Sequence, residues 1–161
     1  MTSRRRIAFG VVVAVQALFL LGMIGVNQLA LATGDKVTLL TRPVDPYDPF
    51  RGSYATLGYE ISNVNVRAGI EPGDRVYVPL HRDGDHWTGA FGYPSPPGRG
   101  EFIRGTVRSV YGHLARVEYG IETYYADEDE ARRLQGAAHL LVTVALGGDG
   151  QAHISRVEPV R

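Results

Sequence analysis

FIRGTVRSVYGHLARVEYGIETYY, residues 102–125, is the stretch whose pattern decides the predicted fold of this chain. It is rich in the β-branched and aromatic residues that strands favour, and it predicts two strands, 102–111 and 114–125, joined near Gly112. Successive side chains of a strand point to opposite faces, so every second residue shares a face. In the second strand the apolar face, which we expect in the core, carries Val117, Tyr119, Ile121 and Tyr125.

The rest of the chain beyond residue 32 repeats this pattern of short strands separated by turns. We predict further strands at 36–41, 54–61, 75–80, 139–146 and 151–157, with a hairpin turn at Asp83 and Gly84. One short helix is predicted near 127–135, because Asp127 is a good N-cap and Glu130 completes a capping box. This organisation predicts a mainly β domain, a β-sandwich or a β-barrel, spanning residues 33–161.

The first 32 residues predict a membrane anchor. Residues 7–26 are apolar apart from Gln16, and as a helix they are about 30 Å long, the thickness of a bilayer core. Three arginines at 4–6 precede this stretch, which places the N-terminus in the cytoplasm. We therefore predict a single transmembrane span over about 7–28, with the β domain outside the cytoplasm.

A cleaved signal peptide is the alternative interpretation of the same segment. Ala30 and Ala32 fit a cleavage site, although a signal peptide's apolar region is usually only about 7–15 residues long. Both interpretations export the same domain.

Composition excludes several classes of function. The chain has no cysteine, which excludes disulfides, thiolate zinc sites, a cysteine nucleophile and lipidation on cysteine. Its formal net charge is zero, and the arginines at 4–6 leave the remainder slightly acidic, which disfavours nucleic acid as a partner. No nucleotide-binding glycine loop is present, and we expect neither a cofactor nor a metal.

Two motifs resemble a known bacterial family. Residues 42–61 read RPVDPYDPFRGSYATLGYEI and residues 118–125 read EYGIETYY. Together with the N-terminal anchor they are similar to the membrane-anchored family named after its GDYXXLXY motif, although Ser53 stands where the motif has Asp. The resemblance implies an envelope protein linked to a multi-spanning membrane protein, and it carries over no catalytic residue. The candidate functional residues are those of the motifs, namely Arg42, Pro43, Asp45, Asp48, Arg51, Gly52, Ser53, Tyr54, Leu57, Tyr59, Glu118, Tyr119, Gly120 and Glu122.

The glutamates of the second motif suggest paired-carboxylate chemistry. On one continuous strand Glu118 and Glu122 lie about 13 Å apart, farther than the carboxyl pair of a glycosidase, so they form such a pair only if the strand bends at Gly120. We expect instead that Leu57, Tyr59 and Ile61 share a core with the second motif. That packing would bring Arg51 near Glu118 or Glu122.

Two histidine arrangements are weak candidates for metal sites. His81, Asp83, Asp85 and His86 bracket one hairpin turn, but turns collect Asp for conformational reasons. The second arrangement is a pairing of His139 with His153 across the last hairpin.

Two functions remain open at this point. The first is an anchored partner-binding module, since no credible catalytic set is visible. The alternative is an envelope hydrolase or small-ligand-binding protein that uses acidic residues of the two motifs.

Overall fold

A computed structural model of the chain describes residues 9–22, 35–42, 54–125, 134, 137 and 139–160. Residues 9–22 form a helix. The described residues also form thirteen strands, which in chain order are Asp35–Arg42 (β1), Tyr54–Thr56 (β2), Gly58–Tyr59 (β3), Asn63–Val66 (β4), Arg75–Pro79 (β5), His81–Asp83 (β6), His86–Thr88 (β7), Phe91–Gly92 (β8), Phe102–Tyr111 (β9), Leu114–Glu118 (β10), Thr123–Tyr125 (β11), Leu140–Leu146 (β12) and Ala152–Pro159 (β13). The mainly β prediction is confirmed.

The strands form two larger sheets and one small one. The six-stranded sheet has the order β13-β12-β1-β7-β6, with β3 paired to the end of β1. The five-stranded sheet has the order β5-β9-β10-β4-β8, and β2 pairs separately with β11. Just after β8, Tyr93 exchanges two backbone hydrogen bonds of 2.8 and 2.9 Å with Tyr77 of β5. The five-stranded sheet therefore nearly closes on itself, like a barrel.

A single apolar core joins the two larger sheets. Alternating residues of β1 and β12, such as Val37 and Val142, pack in one cluster with Val78, Ile103 and Val117 of the five-stranded sheet. Leu57, Tyr59 and Ile61 belong to the same cluster as Tyr119 and Ile121. The predicted common core of the two motifs is therefore confirmed.

Both motif strands are shorter than predicted. The chain from 54 to 61 forms β2 and β3 and then a 3-10 helix, Glu60–Ser62, because it leaves β11 to pair with β1. The predicted strand 114–125 likewise ends at Glu118 and resumes only in β11. Between them Gly120 has a φ of +81°, a left-handed conformation that favours glycine and turns the chain.

Two side-chain expectations are wrong. Tyr125 is 75% exposed instead of buried, since β11 lies outside the two larger sheets. His153 lies opposite Ala145, whereas the Nδ1 of His139 is 2.9 Å from the carbonyl oxygen of Thr41. The two histidines therefore do not pair.

Several predictions concern residues outside the described part of the chain. The helix near 127–135 is described only at Leu134, which is helical and buried. Among the described residues, no helix combines the length and apolar character needed to cross a membrane. The two ends of the predicted span 7–28 lie outside the described residues.

Candidate functional site

The two motif segments lie side by side. Strand β2 runs antiparallel to β11, with Thr56 opposite Thr123. Directly after this pair, the backbone N–H of Leu57 donates to the carbonyl of Glu122 at 2.6 Å. The first and second motifs therefore meet within one packed junction.

Two buried tyrosines cross-link this junction. The phenol of Tyr59 donates to the carbonyl of Ile121 at 2.7 Å, and the phenol of Tyr119 donates to the carbonyl of Ile61 at 2.6 Å. Burial, and secondarily the charge of Glu122, raises the pKa of both phenols far above the ordinary value near 10. Both groups therefore remain neutral hydrogen-bond donors at physiological pH, which suits a structural role better than proton transfer.

Glu122 organises the turn that separates β10 from β11. Its carboxylate accepts a hydrogen bond from the backbone N–H of Tyr119 at 2.6 Å and another from Gly120 at 2.9 Å. Both oxygens thereby satisfy donors that the turn leaves without strand partners. Glu122 thus holds the second motif in shape.

Glu118 has a different environment. It lies opposite Thr106 of β9, and its carboxylate accepts a 2.6 Å hydrogen bond from the Nε of Arg108. Both side chains are largely exposed. Because the chain turns at Gly120, the two glutamates do not lie on one strand, and each is engaged by its own partner.

We expect the two glutamates to differ in their effect on stability. Glu122→Ala should lower the free energy of unfolding by about 1–3 kcal/mol, because two backbone donors lose a charged acceptor. Glu118→Ala should cost less than about 1 kcal/mol, since exposed ion pairs contribute little. Urea unfolding of both variants of the full chain in detergent measures the difference, and equal losses would contradict the assigned roles.

Arg42 belongs to a surface cluster that the sequence did not reveal. Its Nη2 is 3.5 Å from the Oε1 of Glu60, whose Oε2 is 3.4 Å from the Nε2 of His86. The Nδ1 of His86 is also 3.1 Å from Asp85. Of the four hairpin residues His81, Asp83, Asp85 and His86, only Asp85 and His86 are seen to contact each other in the described part of the chain. No group of three or more His, Asp or Glu residues in that part is arranged to hold a metal ion.

The remaining predicted site residues are not described. Pro43, Asp45, Asp48, Arg51, Gly52 and Ser53, and the side chain of Tyr54, lie outside the described residues. The pairing of Arg51 with Glu118 or Glu122 therefore stays a prediction.

A polar depression of about 220 Å³ lies beside the second motif. Its lining includes Arg75, Arg104, Thr106, Glu118, Gly120 and Gln151. Three residues of the second motif, Glu118, Tyr119 and Gly120, belong to this lining and were predicted from the sequence. The arginines were not predictable, because only strand pairing brings β5 beside β9 and β9 beside β10.

A row of exposed apolar side chains crosses the outer surface of the five-stranded sheet. Tyr111 lies opposite Leu114, Leu114 lies opposite Asn65, and Asn65 lies beside Phe91. Tyr93 follows Phe91 by two residues, the spacing at which strand residues share a face. The exposed fractions of the four apolar residues, called here the apolar band, are 78% for Tyr111, 45% for Leu114, 56% for Phe91 and 37% for Tyr93.

A family model described as GDYXXLXY protein matches residues 16–157, a span that contains both motifs and nearly all of the described β domain. The search of curated proteins found no match. The search of solved structures found none either. Since the family model covers most of the chain, this protein belongs to the GDYXXLXY family.

Proposed function

We propose that this protein is an anchored envelope component whose extracytoplasmic β domain binds another membrane protein. Residues 7–28 serve as the anchor and residues 33–161 as the binding domain. Two observations support the anchor. The arginines at 4–6 precede an apolar stretch, and every described side chain of the helix at 9–22 is exposed, including Phe9 and Phe19.

The apolar band is the main observation that supports the binding function. Exposed apolar residues scattered singly are ordinary, whereas a contiguous set on one surface is typical of an interaction site. Tyr111 and Leu114 are direct neighbours on β9 and β10, and Phe91 and Tyr93 lie beyond the polar Asn65 of β4, so four large apolar side chains are exposed on one surface. Tyrosine and phenylalanine are also the residues that binding surfaces favour at their centre.

The charges beside the band indicate what covers it. Arg116 follows Leu114 by two residues on β10, and Arg67 follows Asn65 by two residues at the end of β4. Both arginines are exposed. A partner that is apolar at its centre and carries carboxylates around it complements this surface. A second copy of this chain would present the same two arginines beside its band, which is a poorer charge match than carboxylates.

A small-ligand-binding function is the second candidate. The depression beside Glu118 and Gly120 favours it, because residues of the second motif form part of its wall. A hydrolase is less well supported, since the partners of Glu118 and Glu122 are structural and neither carboxylate is paired with the other.

Single-cysteine variants test the side of the membrane and the binding surface together. The chain has no native cysteine, so Tyr111→Cys and Ser155→Cys each introduce one thiol. Ser155 is an exposed residue of β13 in the six-stranded sheet and serves as the matched control. In intact cells of the native host, a membrane-impermeant maleimide should label Ser155→Cys readily. Tyr111→Cys should be labelled at least about fivefold more slowly than in the purified protein, because the partner covers the band.

A photo-crosslinker attached at Tyr111→Cys then identifies what covers the surface. We expect a crosslink to an apolar, acidic-rimmed segment of another membrane protein. A crosslink only between two copies of this chain would replace the proposed partner with self-association. Equal labelling of both cysteines in cells and in purified protein would refute the docking role of the band, and labelling of neither in intact cells would refute the extracytoplasmic location.

A further inference from the structure

The polar depression beside the second motif is lined by several hydrogen-bond donors. Arg75, Thr106 and Glu118 lie in register across β5, β9 and β10, so their side chains share the outer face of the sheet. Arg104 and Gln151 complete the rim. Two guanidinium groups, a hydroxyl and an amide thus surround a space that is large enough for a small polyatomic group.

Arg104 is held in place before any ligand arrives. Its Nη1 donates to Asp149 at 2.7 Å and its Nη2 donates to the side-chain oxygen of Gln151 at 3.1 Å. Its backbone N–H donates to the carbonyl of Gly150 at 2.8 Å. The backbone N–H of Gln151, and then Arg104, lowers the pKa of Asp149 below its ordinary value, so this support remains charged at neutral pH. An oriented guanidinium loses less freedom on binding than a mobile one.

The local charges leave one positive group uncompensated. Asp149 offsets Arg104, and Arg108 offsets the carboxylate of Glu118. Within the described part of the chain, no carboxylate lies within ion-pair distance of Arg75. The depression therefore favours an anionic group on its Arg75 side, away from Glu118.

The position of the depression indicates where such an anion is found. Gln151 and Asp149 belong to the turn between β12 and β13, and Leu146 at the end of β12 pairs with Asp35 at the start of β1. The depression thus borders the end of the domain at which the chain arrives from its N-terminal segment. If the span ends near residue 28, the seven residues up to Asp35 reach at most about 25 Å, so this end stays close to the lipid surface.

We propose that this depression binds a phosphate group between Arg75 and Arg104, carried either by a lipid headgroup or by a small soluble molecule. A phosphate presents several acceptor oxygens, which match the two guanidinium groups and the hydroxyl of Thr106. The site is separate from the apolar band and does not rest on the partner-binding function. Only the lipid source rests on the proposed anchor.

Titration with inorganic phosphate tests the site in the full chain, purified in maltoside detergent. Binding should shift the amide resonances of Thr106 and Gly120, and Arg75→Gln should weaken it by about tenfold or more. Arg99→Gln is the matched control, since it removes the same charge from an exposed position outside the depression, and it should change the affinity less than about twofold. Thermal unfolding of both variants checks that the fold is intact. Equal weakening by the two substitutions, or no saturable binding to the unmodified chain, would overturn the proposal.

Reconstitution distinguishes the two sources of phosphate. In nanodiscs of phosphatidylglycerol, a site already filled by lipid headgroups no longer responds to added inorganic phosphate, and Arg75→Gln then changes the resonance of Gly120 more than the same substitution does in phosphate-free detergent. Undiminished phosphate binding in the same nanodiscs identifies a soluble phosphate compound as the ligand. If the nanodiscs abolish the phosphate response while Arg75→Gln changes the resonance of Gly120 no more than it does in phosphate-free detergent, occupation of the site by lipid is refuted.

Discussion

Gly105→Ala is expected to lower the free energy of unfolding by about 3 kcal/mol or more, because β9 packs against β10 with no room for a side chain. A Cβ at this position would collide with Cγ1 of Val117, and it would lie 2.8 Å from Cδ1 of Tyr119 and 2.9 Å from the carbonyl oxygen of Glu118. The carbonyl belongs to the backbone of a paired strand and is unable to rotate away. The added methyl group therefore forces the second motif out of its place, and urea unfolding of the full chain in detergent measures the cost.

Gly98→Ala provides the control for this substitution. A Cβ at Gly98 meets no atom within 4 Å, and its φ lies outside the left-handed region. We expect a change within about 0.5 kcal/mol of zero, as for most surface substitutions. If Gly105→Ala were as harmless as Gly98→Ala, the close packing of β9 on the second motif would be refuted.

The second large effect on stability is expected from Tyr59 and Tyr119, the two buried tyrosines that cross-link the motif junction. Tyr59→Phe and Tyr119→Phe each remove the phenolic donor from a buried carbonyl, which should cost about 1–3 kcal/mol apiece. The two bonds join the same pair of chain segments, so the double variant should deviate from additivity by about 0.5 kcal/mol or more. Urea unfolding of the two single variants and the double variant completes the cycle. Tyr111→Phe, which alters a tyrosine that is 78% exposed, should change stability by less than about 0.5 kcal/mol.

The same tyrosines predict how stability depends on pH. Their pKa is raised in the folded state, so their contribution is complete below the unfolded pKa of about 10 and is lost as the pH rises above it. The free energy of unfolding should therefore fall above pH 10, because only the unfolded phenols ionise there. This decline should be shallower in the double Phe variant. An unchanged slope would show that the two phenols are not protected from ionisation.

Much of the fold was predictable because its strands carry their own signals. The predicted strand 102–111 coincides with β9, and the predicted hairpin of 139–146 and 151–157 corresponds to β12 and β13 within a few residues. Alternation also identified Leu57, Tyr59 and Ile61 as one buried set shared with Tyr119 and Ile121. These signals are local, because every second residue of a strand lies on the same face and the buried face is therefore apolar.

The candidate site was less predictable because its geometry depends on where each strand changes partner. The alternation of buried and exposed positions continues through Tyr59 and through Tyr119. Near each of these residues, however, the chain stops pairing with its previous partner strand. The pattern of residues therefore suggested two continuous strands and placed Glu118 and Glu122 on the same face of one of them. In the folded chain Glu122 caps a turn and Glu118 reaches Arg108, a residue on the neighbouring strand.

By itself, the sequence determined the mainly β class, the buried face of most strands and, through its two motifs, membership of the GDYXXLXY family. These properties follow from the order of residues along the chain. Tertiary structure alone decided that Tyr59 and Tyr119 donate across the motif junction, that Arg75 and Arg104 meet beside Glu118, and that Tyr111 and Phe91 lie on one exposed surface. Each of these contacts joins residues far apart in the chain, and it arises only when strand register and the closing of the five-stranded sheet set which positions become neighbours.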